Sequence, residues 1–153
     1  MQATHVATKM TFTASPDEVW NRLMFYEQIE ERPPLHLRLL LPEPINTVGS
    51  KSAVGDEARC NYQNGYLVKR VTEIEPGQRY AFEVAEQALP IRGGMTLSGG
   101  EYRLQPLEGG RTEVTLSTRY RSLLRPRWLW GLIEVMVCHA FHRHILRAMR
   151  RGL

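Results

Sequence analysis

The sequence predicts an α+β fold in which an antiparallel sheet wraps a long C-terminal helix. Three observations predict it. Alternating segments are separated by the turn pairs Asn64-Gly65, Pro76-Gly77 and Gly109-Gly110, a helical period sets in after Pro126 and holds to Arg151, and the strands precede that helix in chain order.

The first element, His5 to Ala14, places Val6, Thr8, Met10 and Phe12 on one side, as in a half-buried strand. A helix start follows. Ser15 caps it, Pro16 takes the first helical position, where its missing N–H costs nothing, and Asp17 and Glu18 face the positive end of the dipole. Val19, Trp20, Leu23 and Met24 give a short helix from about Pro16 to Tyr26, and Glu27 to Arg32 forms a second one, stopped by Pro33-Pro34. Leu35 to Pro44 is leucine-rich and without period.

Asn64-Gly65 between Glu57–Tyr62 and Tyr66–Ile74 predicts a type I′ hairpin, a turn that needs positive φ at both central residues. After Pro76-Gly77, Tyr80, Phe82 and Val84 alternate. Gly109-Gly110 joins Thr96–Leu107 to Thr112–Tyr120, where Val114, Leu116, Thr118 and Tyr120 share a face, and Gly99-Gly100 marks a bulge inside the first of these strands. No Gly-Lys-Ser/Thr follows any glycine pair, which excludes a phosphate loop. Beyond Pro126, Leu129, Leu132, Ile133, Met136, Val137, Ala140, Phe141 and Ala148 cover one broad helix face.

The 153 residues suit one domain over 1–153, with a core that needs no staple. The net charge of +4 is uneven: residues 125–153 carry six arginines against Glu134, leaving 14 basic and 15 acidic groups elsewhere. Such a neutral body with a basic end speaks against nucleic acid as a partner. Cys60 and Cys138 form no C-x-x-C, and the longest apolar stretch, Trp128 to Phe141, is broken by Glu134 and His139. Met1 to Val6 lacks the features of an export signal, so a cytoplasmic protein is expected.

The run Phe12-Thr13-Ala14-Ser15-Pro16-Asp17-Glu18-Val19-Trp20 resembles the opening of the SRPBCC superfamily, which contains START-like lipid-transfer and polyketide cyclase/dehydrase domains. Val48-Gly49-Ser50, Val54-Gly55, the strand Val71 to Tyr80 and Gly110-Arg111-Thr112-Glu113-Val114 extend the resemblance along nearly the whole chain. It implies a helix-grip fold: a curved antiparallel sheet around the C-terminal helix, two short helices after the first strand, and an apolar cavity that commonly binds a hydrophobic small molecule. It implies no shared catalytic residues.

Candidate residues follow from that cavity. His144 shares the helix face of Ile133, Val137, Ala140, Phe141 and Ala148, and reads either as a hydrogen-bonded core histidine or as a polar group in a pocket. Glu134, at the edge of that face, is a cavity carboxylate or a solvated acid, the latter being the commoner outcome. By strand parity Tyr80, Phe82, Tyr102, Leu116 and Tyr120 face inward, and Arg92 lies in a loop at the mouth. His139, His142 and His144 cannot point at one ion from one helix, so neither a metal nor another cofactor is expected.

These residues support binding or carriage of a lipid, isoprenoid or polyketide-like aromatic metabolite, lined by Val137, Phe141, His144 and the strand residues. The alternative is a cyclase/dehydrase-like enzyme with His144 or Glu134 as general base. A third reading is an interaction module, with Trp128, Trp130 and nearby arginines touching a membrane.

Overall fold

The computed structural model describes residues 3–29, 37, 41–91, 94–151 and 153. Arg92 and most of the leucine-rich segment, residues 35–36 and 38–40, lie outside them, as do residues 30–32 of the expected second helix.

Strands β1 (Thr4–Phe12), β2 (Pro44–Gly49), β3 (Glu57–Tyr62), β4 (Gly65–Glu75), β5 (Arg79–Ala88), β6 (Thr96–Leu107) and β7 (Arg111–Arg121) form one curved antiparallel sheet. Its order is β1-β7-β6-β5-β4-β3-β2, so chain neighbours pair throughout except where β1 closes onto β7. The long helix α2 (Arg127–Arg151) packs against β1 and β7, which completes the helix-grip architecture. Phe12, Val19, Leu67, Val114, Leu146 and Met149 are completely buried where sheet and helices meet.

Helix α1 (Pro16–Trp20) begins as its sequence predicts, with the Ser15 hydroxyl accepting from the Glu18 N–H. It ends earlier than Tyr26. The N–H groups of Arg22 and Leu23 bond three residues back, to Val19 and Trp20, so the last turn tightens and closes. The next element is only a 3-10 helix, Tyr26–Gln28, fixed by the Phe25 N–H donating to Gln28 Oε1 at 2.8 Å. Strand β2 escaped the sequence reading because Ile45 and Val48 are both 58% exposed on this edge strand, leaving no apolar alternation to detect.

The β3–β4 hairpin is real, but Tyr62 pairs with Gly65, so Gln63 and Asn64 make the connection. No non-glycine residue has positive φ among the described residues, and the type I′ reading of Asn64-Gly65 is therefore corrected. Gly65 serves a close approach instead. A Cβ there would sit 2.1 Å from the Ala88 carbonyl oxygen. Gly99 answers the same need inside β6, where the register shifts after Leu97 and a Cβ would lie 2.5 Å from the Phe82 carbonyl oxygen.

Helix α2 buries a face rotated by about 160°, nearly half a turn, from the one its apolar residues suggest. Glu134, His142, Ile145, Leu146 and Met149 are buried, whereas Leu132 is 61% exposed and Met136 62% exposed.

Candidate functional site

Two small compartments lie between sheet and helix. The first, about 80 Å³, is walled by Leu97 of β6, Thr118 and Tyr120 of β7, and Glu134, Cys138 and Phe141 of α2, with Leu41, Pro42, Ile91 and Met95 at its loop side. The second, about 60 Å³, lies deeper in the sheet and is lined by Phe25, Glu27, Lys69, Phe82, Tyr102 and Leu116 among others. Tyr26, Tyr62, Leu97, Thr118 and Phe141 line both and form the partition between them. Its centre is the edge-on pair Tyr26–Phe141, with ring centroids 4.7 Å apart. Each compartment, and even the two together, is well below the roughly 300–1,000 Å³ of an ordinary ligand pocket, so a ligand of that class requires more room than the closed interior offers.

The deeper compartment holds a buried charge cluster. Lys69, between Leu67 and Val71 on the inward face of β4, donates to both carboxylate oxygens of Glu27, at 3.1 and 3.0 Å. The Tyr62 hydroxyl donates to the same carboxylate. Burial alone would raise the Glu27 pKa, but the Lys69 ammonium and these hydrogen bonds outweigh it, so Glu27 is held below the usual carboxylate range. Burial and the neighbouring carboxylate push the Tyr62 hydroxyl well above its ordinary value. The result is an internally neutral pair in an apolar setting, with Lys69 Nζ 4.5 Å from the Phe25 ring centre and 5.2 Å from that of Phe82.

On the helix side, Glu134 is buried, correcting its expected solvation. Arg127 Nη2 donates to its Oε1 at 2.9 Å, and the Ser122 hydroxyl donates to its Oε2 at 2.5 Å. Both oxygens are thus engaged in holding the start of α2 to the end of β7. Two turns further on, His142 is fully buried between Thr8 of β1 and Thr118 of β7, 2.8 Å from Thr8 Oγ1 and 2.7 Å from Thr118 Oγ1. Thr8 is shared with His139 Nδ1 at 2.7 Å. Burial first, and the nearby His139, His5 and Arg143 second, lower the His142 pKa to about 3, so a neutral imidazole sits behind the partition. Cys138, 3.6 Å from His142 Nε2, has its thiol pushed up to about 12 by burial and stays protonated at neutral pH.

Of the residues singled out by sequence, Phe82, Tyr102 and Leu116 line the deeper compartment, Tyr120 and Glu134 the outer one, and Phe141 both. Tyr80 and Tyr102 donate their hydroxyls to the carbonyls of Lys51 and Met24, at 2.6 and 2.5 Å, and so tie the segments around α1 to the sheet. Val137 and His144 are half-buried and absent from the described lining of either compartment; the His144 ring lies edge-on to Tyr26 at 6.0 Å. Their shared inward face is corrected by the rotation of α2. Sequence reasoning missed Glu27 and Lys69, and weighed His142 only as a metal ligand. Inward parity with Leu67 and Val71 was the available signal for Lys69.

Among the described residues no group of three or more His, Cys, Asp or Glu side chains is placed to hold a metal ion, and no helix is long and apolar enough to cross a membrane.

A curved antiparallel sheet gripping one long C-terminal helix is the helix-grip architecture of the SRPBCC superfamily. The chain belongs to the polyketide cyclase / dehydrase and lipid transport family, whose model matches residues 3–152. Similar solved structures include a START superfamily protein from Mycobacterium smegmatis, with TM-score 0.66 at 11% identity, covering 97% of this chain and 95% of that one. Protein NE0264 from Nitrosomonas europaea has TM-score 0.65 at 15% identity, covering 96% and 92% respectively. The Aha1 dimer from Colwellia psychrerythraea has TM-score 0.59 at 14% identity, covering 98% and 96%. At these identities the likeness is one of fold. No curated protein matches the chain.

Proposed function

We propose that the protein binds or carries a hydrophobic small molecule, of the lipid, isoprenoid or polyketide-like aromatic class, between its sheet and α2. The observation that carries this reading is the pair of compartments that share Tyr26 and Phe141, whose rings meet edge-on, among their lining residues. Rotating those two rings joins an apolar outer chamber to an inner one that contains polar groups, the composition expected of a ligand pocket. Native mass spectrometry of the purified protein tests it. A reproducible apolar adduct is expected, weakened in Phe141→Trp, which fills the partition; a wild type that carries no adduct and takes up no added apolar ligand would overturn it.

A second reading concerns the outer face of α2. Trp128, Leu132 and Met136 are 79%, 61% and 62% exposed, and the same arc continues into the exposed arginines Arg143, Arg147 and Arg150. Apolar side chains followed by cations along one face are complementary to an anionic lipid surface, with the helix lying in its plane. Co-sedimentation with phosphatidylserine-containing vesicles is expected, falling at least about tenfold in the triple variant Trp128→Ser, Leu132→Ser, Met136→Ser. Equal sedimentation of both proteins would refute it, as would a concentration-dependent dimer that the triple variant abolishes while vesicles bind neither.

A further inference from the structure

Lys69 is a cation that the interior has only partly used. Its ammonium carries three N–H donors, of which two go to the Glu27 oxygens. Among the described residues the third has no oxygen acceptor and faces a setting formed by the Phe25 and Phe82 rings. The side chain is 9% exposed, so solvent does not substitute freely for the missing acceptor. A second orphan points the same way. The Tyr26 hydroxyl is buried, has no hydrogen-bond partner among the described residues, and belongs to a side chain that lines both compartments. Buried donors left unmatched are costly, and the two side chains that carry them both line the deeper compartment.

We propose that the deeper compartment seats the oxygen of an uncharged carbonyl or hydroxyl on an otherwise apolar ligand, with Lys69 as donor and the ligand body extending past Tyr26 and Phe141 into the outer chamber. This deepens the ligand-binding reading and rests on it. The charge state of the cluster selects the headgroup class. Glu27 already neutralises Lys69, so a ligand carboxylate would place a second negative charge beside Glu27 in a low-dielectric interior, whereas a ketone, quinone, ester or alcohol oxygen accepts the spare N–H without adding charge. Tyr62, which also lines both compartments, is committed to Glu27 and holds that carboxylate in place beneath Lys69. An alkylamine is disfavoured for the converse reason, since its ammonium would face Lys69.

Matched ten-carbon ligands test the proposal: 2-decanone, decanoate and decane, titrated by NMR chemical-shift change against the wild type and the double variant Lys69→Met with Glu27→Gln. The double variant removes both charges together and leaves Tyr62 an amide oxygen to donate to, and its fold is checked by circular dichroism. In the wild type 2-decanone should bind about tenfold tighter than decane, the equivalent of one hydrogen bond from a charged donor, and tighter than decanoate. In the double variant the ketone preference should disappear while decane affinity stays. A preference that survives in the double variant, or decanoate binding tightest to the wild type, overturns the headgroup assignment alone. Absence of binding by all three overturns the ligand reading, and the headgroup assignment with it.

Discussion

Lys69→Met should lower stability by about 3–5 kcal/mol at neutral pH, and adding Glu27→Gln should restore most of it. The asymmetry arises because the single change leaves Glu27, whose side chain is 1% exposed, as a buried carboxylate without its cation. The pH dependence gives the prediction its sign. In the wild type Glu27 is held below its ordinary value of 4.5, so its contribution is present above that pH and is lost as pH falls through the lower folded-state value. Without Lys69, burial dominates and raises the Glu27 pKa above 4.5. The variant then folds with Glu27 protonated at low pH and loses stability as pH rises. Urea unfolding at pH 5 and pH 8 should therefore show a deficit in Lys69→Met that widens toward pH 8 and is nearly independent of pH in the double variant. A deficit of equal size at both pH values would mean that the packing of the lysine stem, and not the ion pair, supplies the stability.

That cluster also marks the boundary of what local sequence can disclose. The order of the elements other than β2, the hairpins and the inward parity of Phe82, Tyr102, Leu116 and Tyr120 were legible because the strands show themselves by alternation. Lys69 was readable as inward-facing by the same rule, yet its partner Glu27 lies 42 residues away on a 3-10 turn that no period announces. The face of α2 was misread for a related reason. Apolarity normally marks the buried side of a helix, but here Trp128, Leu132 and Met136 face outward while Glu134 and His142 face in. What makes those two polar groups tolerable inside is supplied by Arg127, Ser122, Thr8 and Thr118, and three of these four stand on other segments of the chain. An inward polar residue is thus visible only after its partners have been placed by the fold, and the same is true of the enclosed space beside it.

His142 allows that point to be measured. Its folded-state pKa of about 3 lies below the ordinary 6.5, so between these values the unfolded chain binds a proton that the folded one does not. Stability should accordingly fall as pH is lowered from 6.5 toward 3, by up to about 1.4 kcal/mol for each pH unit inside that window. The upper part of the window belongs to histidine rather than to the carboxylates. Glu27, Asp56 and Glu101 are all held below their ordinary values, and their contributions are lost only beneath about pH 4.5. His142→Leu removes the titrating group and leaves Thr8 bonded to His139. The variant should lose about 1–3 kcal/mol at pH 7, where the hydrogen bonds to Thr8 and Thr118 are broken, but should unfold with a flatter pH dependence between 6 and 4.5. The two stability curves should therefore converge on acidification. Parallel curves would show that His142 is protonated in the folded state, and that the space around Thr8 and Thr118 admits water to the ring.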